Sequence, residues 1–311
     1  MKSISLIIYF IFTILIIQVK TTKKWLHEVS GFNKDGNNGF VGIYGKAITG
    51  LRISGEKEYR VHIKGGDWLS PVTGNDIKDD VNGYAGTLDG NEIDAVTISG
   101  GDQYAVHIKG RDWLLPVTGY DINQANKGYA GIIGSVIDAI MINGRTYATS
   151  YNTISPNQYD PPESKATRAI EIYNFFTSRG WSITSICGLL GNIEVETANT
   201  FNPNYQGYNN GDTYGLLQWN PESTLKNWAT KNGLNYNTIY AQCRRIQYEY
   251  ENAIQFSPSS YCSYSFSQYV KSYASPSNLA QCFVYNYKKL NPRFANVEGR
   301  MKKAQQWCTF F

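Results

Sequence analysis

Two periods of apolar residues divide the chain. Between residues 25 and 150, apolar and polar positions alternate: Tyr59, Val61 and Ile63 fall on one side of a run whose other side carries Arg60, His62 and Lys64. A period of two puts successive side chains on opposite faces of a strand, and glycine-rich turns follow each such run. After residue 164 the spacing becomes three and four. Ala166, Ala169, Ile170, Tyr173 and Phe176 form one helical stripe, with Ser164 placed to cap its start and Gly180 its end. Ile186, Leu189, Leu190 and Ile193 form a second stripe, beside which Gly188 and Gly191 leave a smooth side that another helix can approach. The stretches "SPSNLAQCFVYNYKKL" and "VEGRMKKAQQWCTFF" are amphipathic as well. Between the two regimes, "TISPNQYDPPES" holds three prolines and no apolar period. It predicts a linker over 152–164, joining an all-β part at 25–151 to a mostly α part at 165–311.

The β part repeats itself. "YRVHIKGGDWLSPVTGNDIKDDVNGYAGTLDGNEIDAVTI" from Tyr59 recurs as "YAVHIKGRDWLLPVTGYDINQANKGYAGIIGSVIDAIMI" from Tyr104, a shift of 45 residues. An earlier copy, "WLHEVSGFNKDGNNGFVGIYGKAITGLRI", aligns Trp25 with Trp68 and Trp113. The strand missing from its front is supplied by "RTYATSY", Arg145 to Tyr151, which aligns with Lys57 to Ile63. Three offset units whose first and last pieces complete each other predict a closed threefold body, a β-trefoil or β-prism, and closure removes exposed sheet edges. Trp25, Trp68 and Trp113 either fill the threefold core or stack on a sugar ring. His62 and His107 lie on polar strand faces and are expected to be structural or solvated. These repeats resemble clostridial hydrophobic-tryptophan repeats and the similar repeats appended to bacterial wall hydrolases. The resemblance implies a binding module for wall carbohydrate.

Composition narrows the setting. Lys2 precedes an apolar run from Ile4 to Ile17 that is short for a bilayer span and fits the core of a signal peptide over residues 1–20. The expectation is a protein that is secreted and extracellular, or held in a secretory or phagosomal compartment, with no stable membrane insertion once the signal is removed. No small-x-small cleavage site stands out, so an uncleaved anchor stays open. Five cysteines (Cys187, Cys243, Cys262, Cys282, Cys308) fall in the second half without metal-ligand spacing, which predicts disulfides. Cys187, inside the apolar helix, is the expected free thiol; the other four allow three pairings. From Lys165 onward, 14 Lys and Arg oppose 8 Asp and Glu within a chain of net charge +4, which suits an anionic polymer. The basic residues are scattered rather than gathered on one strand or helix face, which argues against nucleic acid. The three histidines are separated, so neither metal nor cofactor is implied.

The candidate chemistry lies in "LLGNIEVETANTFNPNYQ". Helical geometry puts Glu194 and Glu196 each about 80° from Ile186, on opposite borders of the apolar stripe. The following segment holds no Leu, Ile or Val until Leu216, but carries Phe201, Tyr205, Tyr208, Tyr214 and Trp219 among amides. Such a segment suits a sugar cleft, where rings stack on pyranose faces and amides bond hydroxyls. A carboxylic acid between an apolar helix and that cleft is expected to be desolvated and to hold the proton a glycosidic leaving oxygen requires.

"GLLGNIEVETANTFNP" followed by "YGLLQW" resembles the lysozyme-like superfamily, and most closely the phage tail lysozyme family. The match continues through "QCRRIQYEY", "SFSQYV" and "SPSNLAQCFVYNYKK" to the final helix. It implies a lysozyme-like fold for 165–311 and cleavage of the β-1,4 bond between N-acetylmuramic acid and N-acetylglucosamine, with bacterial peptidoglycan as partner. Glu196-Thr197 occupies the place of the family's catalytic Glu-Ser, which makes Glu196 the expected general acid. Asp212 is the one carboxylate between Glu196 and Gln218, and either holds the attacking water, stabilises oxocarbenium charge or is an ordinary turn residue. Gln218 matches the family's cleft-wall Gln. Tyr214 and Trp219 are expected to line subsites, and Tyr285 and Tyr287 match an aromatic motif near the cleft. Lys288-Lys289 stands where the family has Glu-Arg, so no ion pair is expected there. The resemblance leaves hydrolysis, lytic transglycosylation and chitin cleavage open, as well as a lectin-like protein without catalysis.

Overall fold

The computed structural model describes residues 24–34, 39–55, 57–143, 148–152, 162–207 and 212–311; the signal segment and the linker residues 153–161 lie outside them. The first part is built of sheet. Its strands are β1 (Lys24–Trp25), β2 (Val41–Gly42), β3 (Ile48–Ile53), β4 (Tyr59–Ile63), β5 (Ala85–Gly86), β6 (Ile93–Ile98), β7 (Tyr104–Ile108), β8 (Ala130–Gly131), β9 (Ile137–Ile142) and β10 (Ala148–Asn152). They form three antiparallel sheets, ordered β1-β10-β3-β5, β2-β9-β7 and β4-β6-β8.

The alternating residues explain the interior. Tyr59, Val61, Tyr104 and Val106 point into one buried cluster with Ile53, Ile98 and Ile142. The tyrosine hydroxyls are not stranded there, because Tyr59 and Tyr104 donate to the carbonyls of Gly74 (2.9 Å) and Gly119 (2.7 Å). Trp25, Trp68 and Trp113 stand outside that cluster and are half-buried, so they do not fill the core.

Register corrects one alignment. Tyr59 pairs with Ile98, Tyr104 with Ile142 and Ala148 with Ile53, so Ala148 holds the tyrosine position. Tyr151 therefore stands where His62 and His107 stand, one residue away from the Ile63 that the sequence alignment gave it. A one-residue slip exchanges the faces of a strand, so the register decides which side chain meets Trp25.

The second part is helical: α1 (Glu163–Thr177), α2 (Ile183–Glu196), α3 (Ser223–Lys231), α4 (Ile239–Glu251), α5 (Phe266–Lys271), α6 (Pro276–Phe283) and α7 (Val297–Phe310), with a π-helical turn at Val284–Lys288. Pro162, not Ser164, holds the N-cap position of α1, and no side chain caps it. α2 is the central element, buried from Ser185 to Glu194, and the Ser182 hydroxyl accepts from the Ser185 amide at its start. Its glycines admit two neighbours: a methyl on Gly188 would lie 2.9 Å from Leu279 Cβ in α6, and one on Gly191 would lie 2.5 Å from the Arg300 carbonyl in α7. Either substitution would push a helix away.

The cysteine expectation fails at two residues, Cys187 and Cys243. Cys187 is bonded to Cys308, tying α2 to α7 across Cα atoms 5.3 Å apart, while Cys262 pairs with Cys282. The free thiol is Cys243, buried in α4, and burial pushes it well above its ordinary pKa. Cys187 faces α7 because the glycine side of α2 brings that helix close. Only the packing could select that pair.

The sheet and helical parts touch through α1. The Asn174 amide donates to the Gly42 carbonyl (2.9 Å) and its oxygen accepts from the Tyr44 amide (3.1 Å). Ile43 is buried in the helical core.

Candidate active site

The end of α2 separates the two glutamates. Glu194 is buried: Lys165 (2.5 Å) and Lys303 (2.7 Å) meet its Oε1, and the Trp307 indole donates to its Oε2 (2.7 Å). Those partners come from α1 and α7, so Glu194 pins three helices together. Glu196, two residues on, lies on the far side of the helix and lines a cleft of about 650 Å³ with Tyr205, Thr213, Gln218, Lys288 and Arg300.

The surroundings of Glu196 are charged rather than apolar, contrary to expectation. Arg300 donates to Oε1 (2.7 Å), and the Lys288 ammonium lies 3.3 Å from Oε2. Arg300 is itself fixed by the Ala295 carbonyl (2.8 Å) and the Asn192 side-chain oxygen (3.0 Å). Lys288 also donates to the Leu217 carbonyl. Burial pushes the Lys288 ammonium below its ordinary pKa, and Glu196 opposes the shift. The "YNYKK" stretch thus supplies the ion pair that the Lys-for-Glu difference seemed to remove, because the π-helical turn aims Lys288 at the end of α2.

The loop after α2 turns sharply. Ala198, Asn199 and Phe201 all take left-handed backbone angles. Such residues cost roughly 1–2 kcal/mol each unless compensated. Thr197 compensates in part: its hydroxyl donates to the Ile193 carbonyl (2.8 Å) and accepts from the Phe201 amide (2.9 Å). Phe201 is thereby delivered into the core against Trp307.

The remaining candidates divide. Gln218 is in the cleft wall, its amide clamped to the carbonyls of Tyr205 (3.0 Å) and Gly215 (2.8 Å), while its oxygen accepts from Thr213 (2.9 Å). Trp219 and Tyr287 line the cleft from below; both are nearly buried and both donate to Glu249. Burial pushes the Glu249 carboxyl up in pKa, while Tyr287, Arg245 and Trp219 pull it back down. Tyr214 is core, with its hydroxyl between the side-chain oxygens of Asn204 (2.7 Å) and Asn237 (2.6 Å). Tyr285 stacks on Tyr261 in a separate small cluster, with ring centroids 4.1 Å apart. Asp212 is exposed and is not among the lining residues. Glu196 is the only carboxylate among the described residues that line the cleft. Arg300 carried no sequence signal, because it lies 104 residues from its partner in a helix with no local motif.

The comparisons bear on this half. Residues 167–311 match the phage tail lysozyme family, so the helical part carries a phage tail lysozyme domain. Morphogenesis protein 1 of Bacillus phage B103 is 33% identical over 157 residues, which make up 49% of this chain and 41% of that protein. The chain thus spans less than half the length of that curated relative.

Proposed function

We propose that the protein is a lysozyme-type glycosidase that cleaves the β-1,4 bond between N-acetylmuramic acid and N-acetylglucosamine in bacterial peptidoglycan. The observation that carries this reading is Glu196 at the end of α2, turned into an amide- and aromatic-lined cleft within a phage tail lysozyme domain. Glu196 gives its proton to the glycosidic oxygen as the C1–O bond breaks. The oxocarbenium charge is then captured by water, and that water's proton returns to the carboxylate. Arg300 and Lys288 hold the side chain toward the cleft. The β part, as a closed threefold body of trefoil or prism type, anchors the enzyme on wall glycan. The apolar run at Ile4–Ile17 and the two disulfides support export.

Incubating the purified protein with isolated peptidoglycan tests the reading. Wild type is expected to release soluble fragments and Glu196→Gln none; full release by the variant would remove Glu196 from the role. A second reading, lytic transglycosylation, draws on Glu196 being the single carboxylate among the described residues that line the cleft. An inverting hydrolase needs a second carboxyl roughly 6.5–9.5 Å from the first, whereas in transglycosylation a hydroxyl of the muramyl residue itself attacks. Mass spectrometry of the products separates them: reducing ends mark hydrolysis, anhydro ends transglycosylation.

A further inference from the structure

The three tryptophans of the β part sit in one geometry. Trp25 meets Tyr84, Trp68 meets Tyr129 and Trp113 meets Phe40, with ring centroids 5.4, 5.3 and 5.4 Å apart and planes at 69°, 70° and 68°. Each tryptophan thus packs edge-on against a ring from elsewhere in the body, and each is only half-buried. Beneath them the chemistry differs. His62 and His107 lie under Trp68 and Trp113, and their Nδ1 atoms face the buried carboxylates of Asp94 (2.7 Å) and Asp138 (2.5 Å). Each carboxylate also accepts from a glycine amide, Gly134 or Gly45, at 2.6 Å. The strand register puts Tyr151 and Thr49 at the corresponding places under Trp25. The residue before the tryptophan is Asp67 or Asp112 in the first two and Lys24 in the third. Three positions therefore change together, although the fold at all three places is alike.

A carboxylate at Nδ1 keeps the proton there and leaves Nε2 to bond outward. Nε2 has no hydrogen-bond partner among the described residues at either histidine. At Trp113 this arrangement opens into a cleft of about 500 Å³, with Tyr44, Arg111 and Asp112 around it and Thr177 and Ser178 at the end of α1 along one side. The Trp113 indole is locked by its bond to the Tyr44 hydroxyl (2.9 Å). A rigid half-exposed ring beside a fixed polar nitrogen and charged groups matches a pyranose, whose apolar face stacks while its hydroxyls bond. A purely apolar ligand would leave Nε2 unpaired.

We infer that the Trp113–His107–Asp138 cleft and its Trp68–His62–Asp94 counterpart are two saccharide-binding sites of one build, and that the Trp25 position has diverged from them. The assignment rests on the reading of the β part as a glycan anchor and names where that anchor grips.

Cosedimentation with isolated peptidoglycan tests it, using the full chain carrying Glu196→Gln so that the wall stays intact. Trp113→Ala combined with Trp68→Ala is expected to weaken binding at least about tenfold, and Trp25→Ala by less than about threefold. Thermal melts check folding. Should the alanine variants melt early, Trp113→Phe with Trp68→Phe keeps a ring in place, and about a threefold loss is expected. Unchanged affinity in the folded variants, or an equal loss at Trp25, overturns the assignment. Failure of Glu196→Gln itself to sediment also overturns it. Fragment release by wild type tests the catalytic reading separately, so the two failures are distinguishable.

Discussion

The two parts place their charges by opposite means. In the β part, each buried carboxylate meets its histidine through neighbouring strands, and the arrangement at Asp94 recurs at Asp138. In the helical part nothing recurs. Glu194 and Glu196 are two residues apart, yet one ends in a buried knot of two lysines and a tryptophan, and the other in a cleft with Arg300 and Lys288. A repeated strand fixes its partners by register, while a helix end takes whatever partners distant elements bring to it. Identical residue types at neighbouring positions can therefore carry unrelated roles in a helical domain.

The largest effect expected is at the cleft. Glu196→Gln should lower fragment release by about a thousandfold or more, roughly 4 kcal/mol of barrier, while leaving the helical part folded, because the amide oxygen still accepts from Arg300. Glu194→Ala should do the reverse, unfolding the helical part rather than sparing it. Removing one partner from a buried ion cluster costs roughly 3–5 kcal/mol, readable by urea denaturation. If both glutamates behaved alike in the two assays, the contrast between them would fail.

The disulfide between α2 and α7 comes next. Cys187→Ala with Cys308→Ala opens a link across a sequence separation of 121 residues and should cost about 3 kcal/mol in the same denaturation series. Changing Cys243 to alanine removes no link and should cost less than that pair.

A smaller effect is expected where the two parts meet. Glu171 lines a pocket between Leu26, Val29 and Phe40 of the β part and Ile170, Phe175 and Tyr240 of the helical part. Its Oε1 is buried without a partner, and burial pushes its pKa up to about 7, with Arg168 opposing. The folded state then binds this proton more tightly than the unfolded state, so stability falls as pH rises from about 4.5 to 7. Glu171→Gln should flatten that slope and raise the unfolding free energy at pH 8 by an amount on the order of 3 kcal/mol. An unaltered slope would show that the junction does not hold the proton. Smallest of all, Asp212→Asn should change fragment release by less than about threefold, because an exposed turn carboxylate offers little to the reaction. A loss comparable with that of Glu196→Gln would bring Asp212 into the cleft as a second catalytic group.

Much of this was legible in the chain. Periods of two and three to four separated strands from helices, and Gly188 and Gly191 announced the close helix contacts that α6 and α7 make. Gln218 and Glu196 stood in an ordered motif and both reached the cleft. Tyr214 lies in the core, where its segment could not place it, because an aromatic in a cleft-like segment has the same local signature whether it faces substrate or core, and Tyr285, matched by motif alone, packs on Tyr261 instead. The tryptophans showed the same ambiguity, and register and packing put them at the rim.

The sequence alone determined the division into a sheet-rich and a helical part, the element types and the residue that ends α2 in a carboxylate, because each is written in spacing along the chain. The tertiary structure decided which cysteine stays free, which glutamate faces the cleft, and that Lys288 and Arg300 meet at Glu196. Those facts depend on side chains about a hundred residues apart arriving within 3.3 Å of one another. Local periodicity carries no information about such meetings, because they are set by how the helices pack.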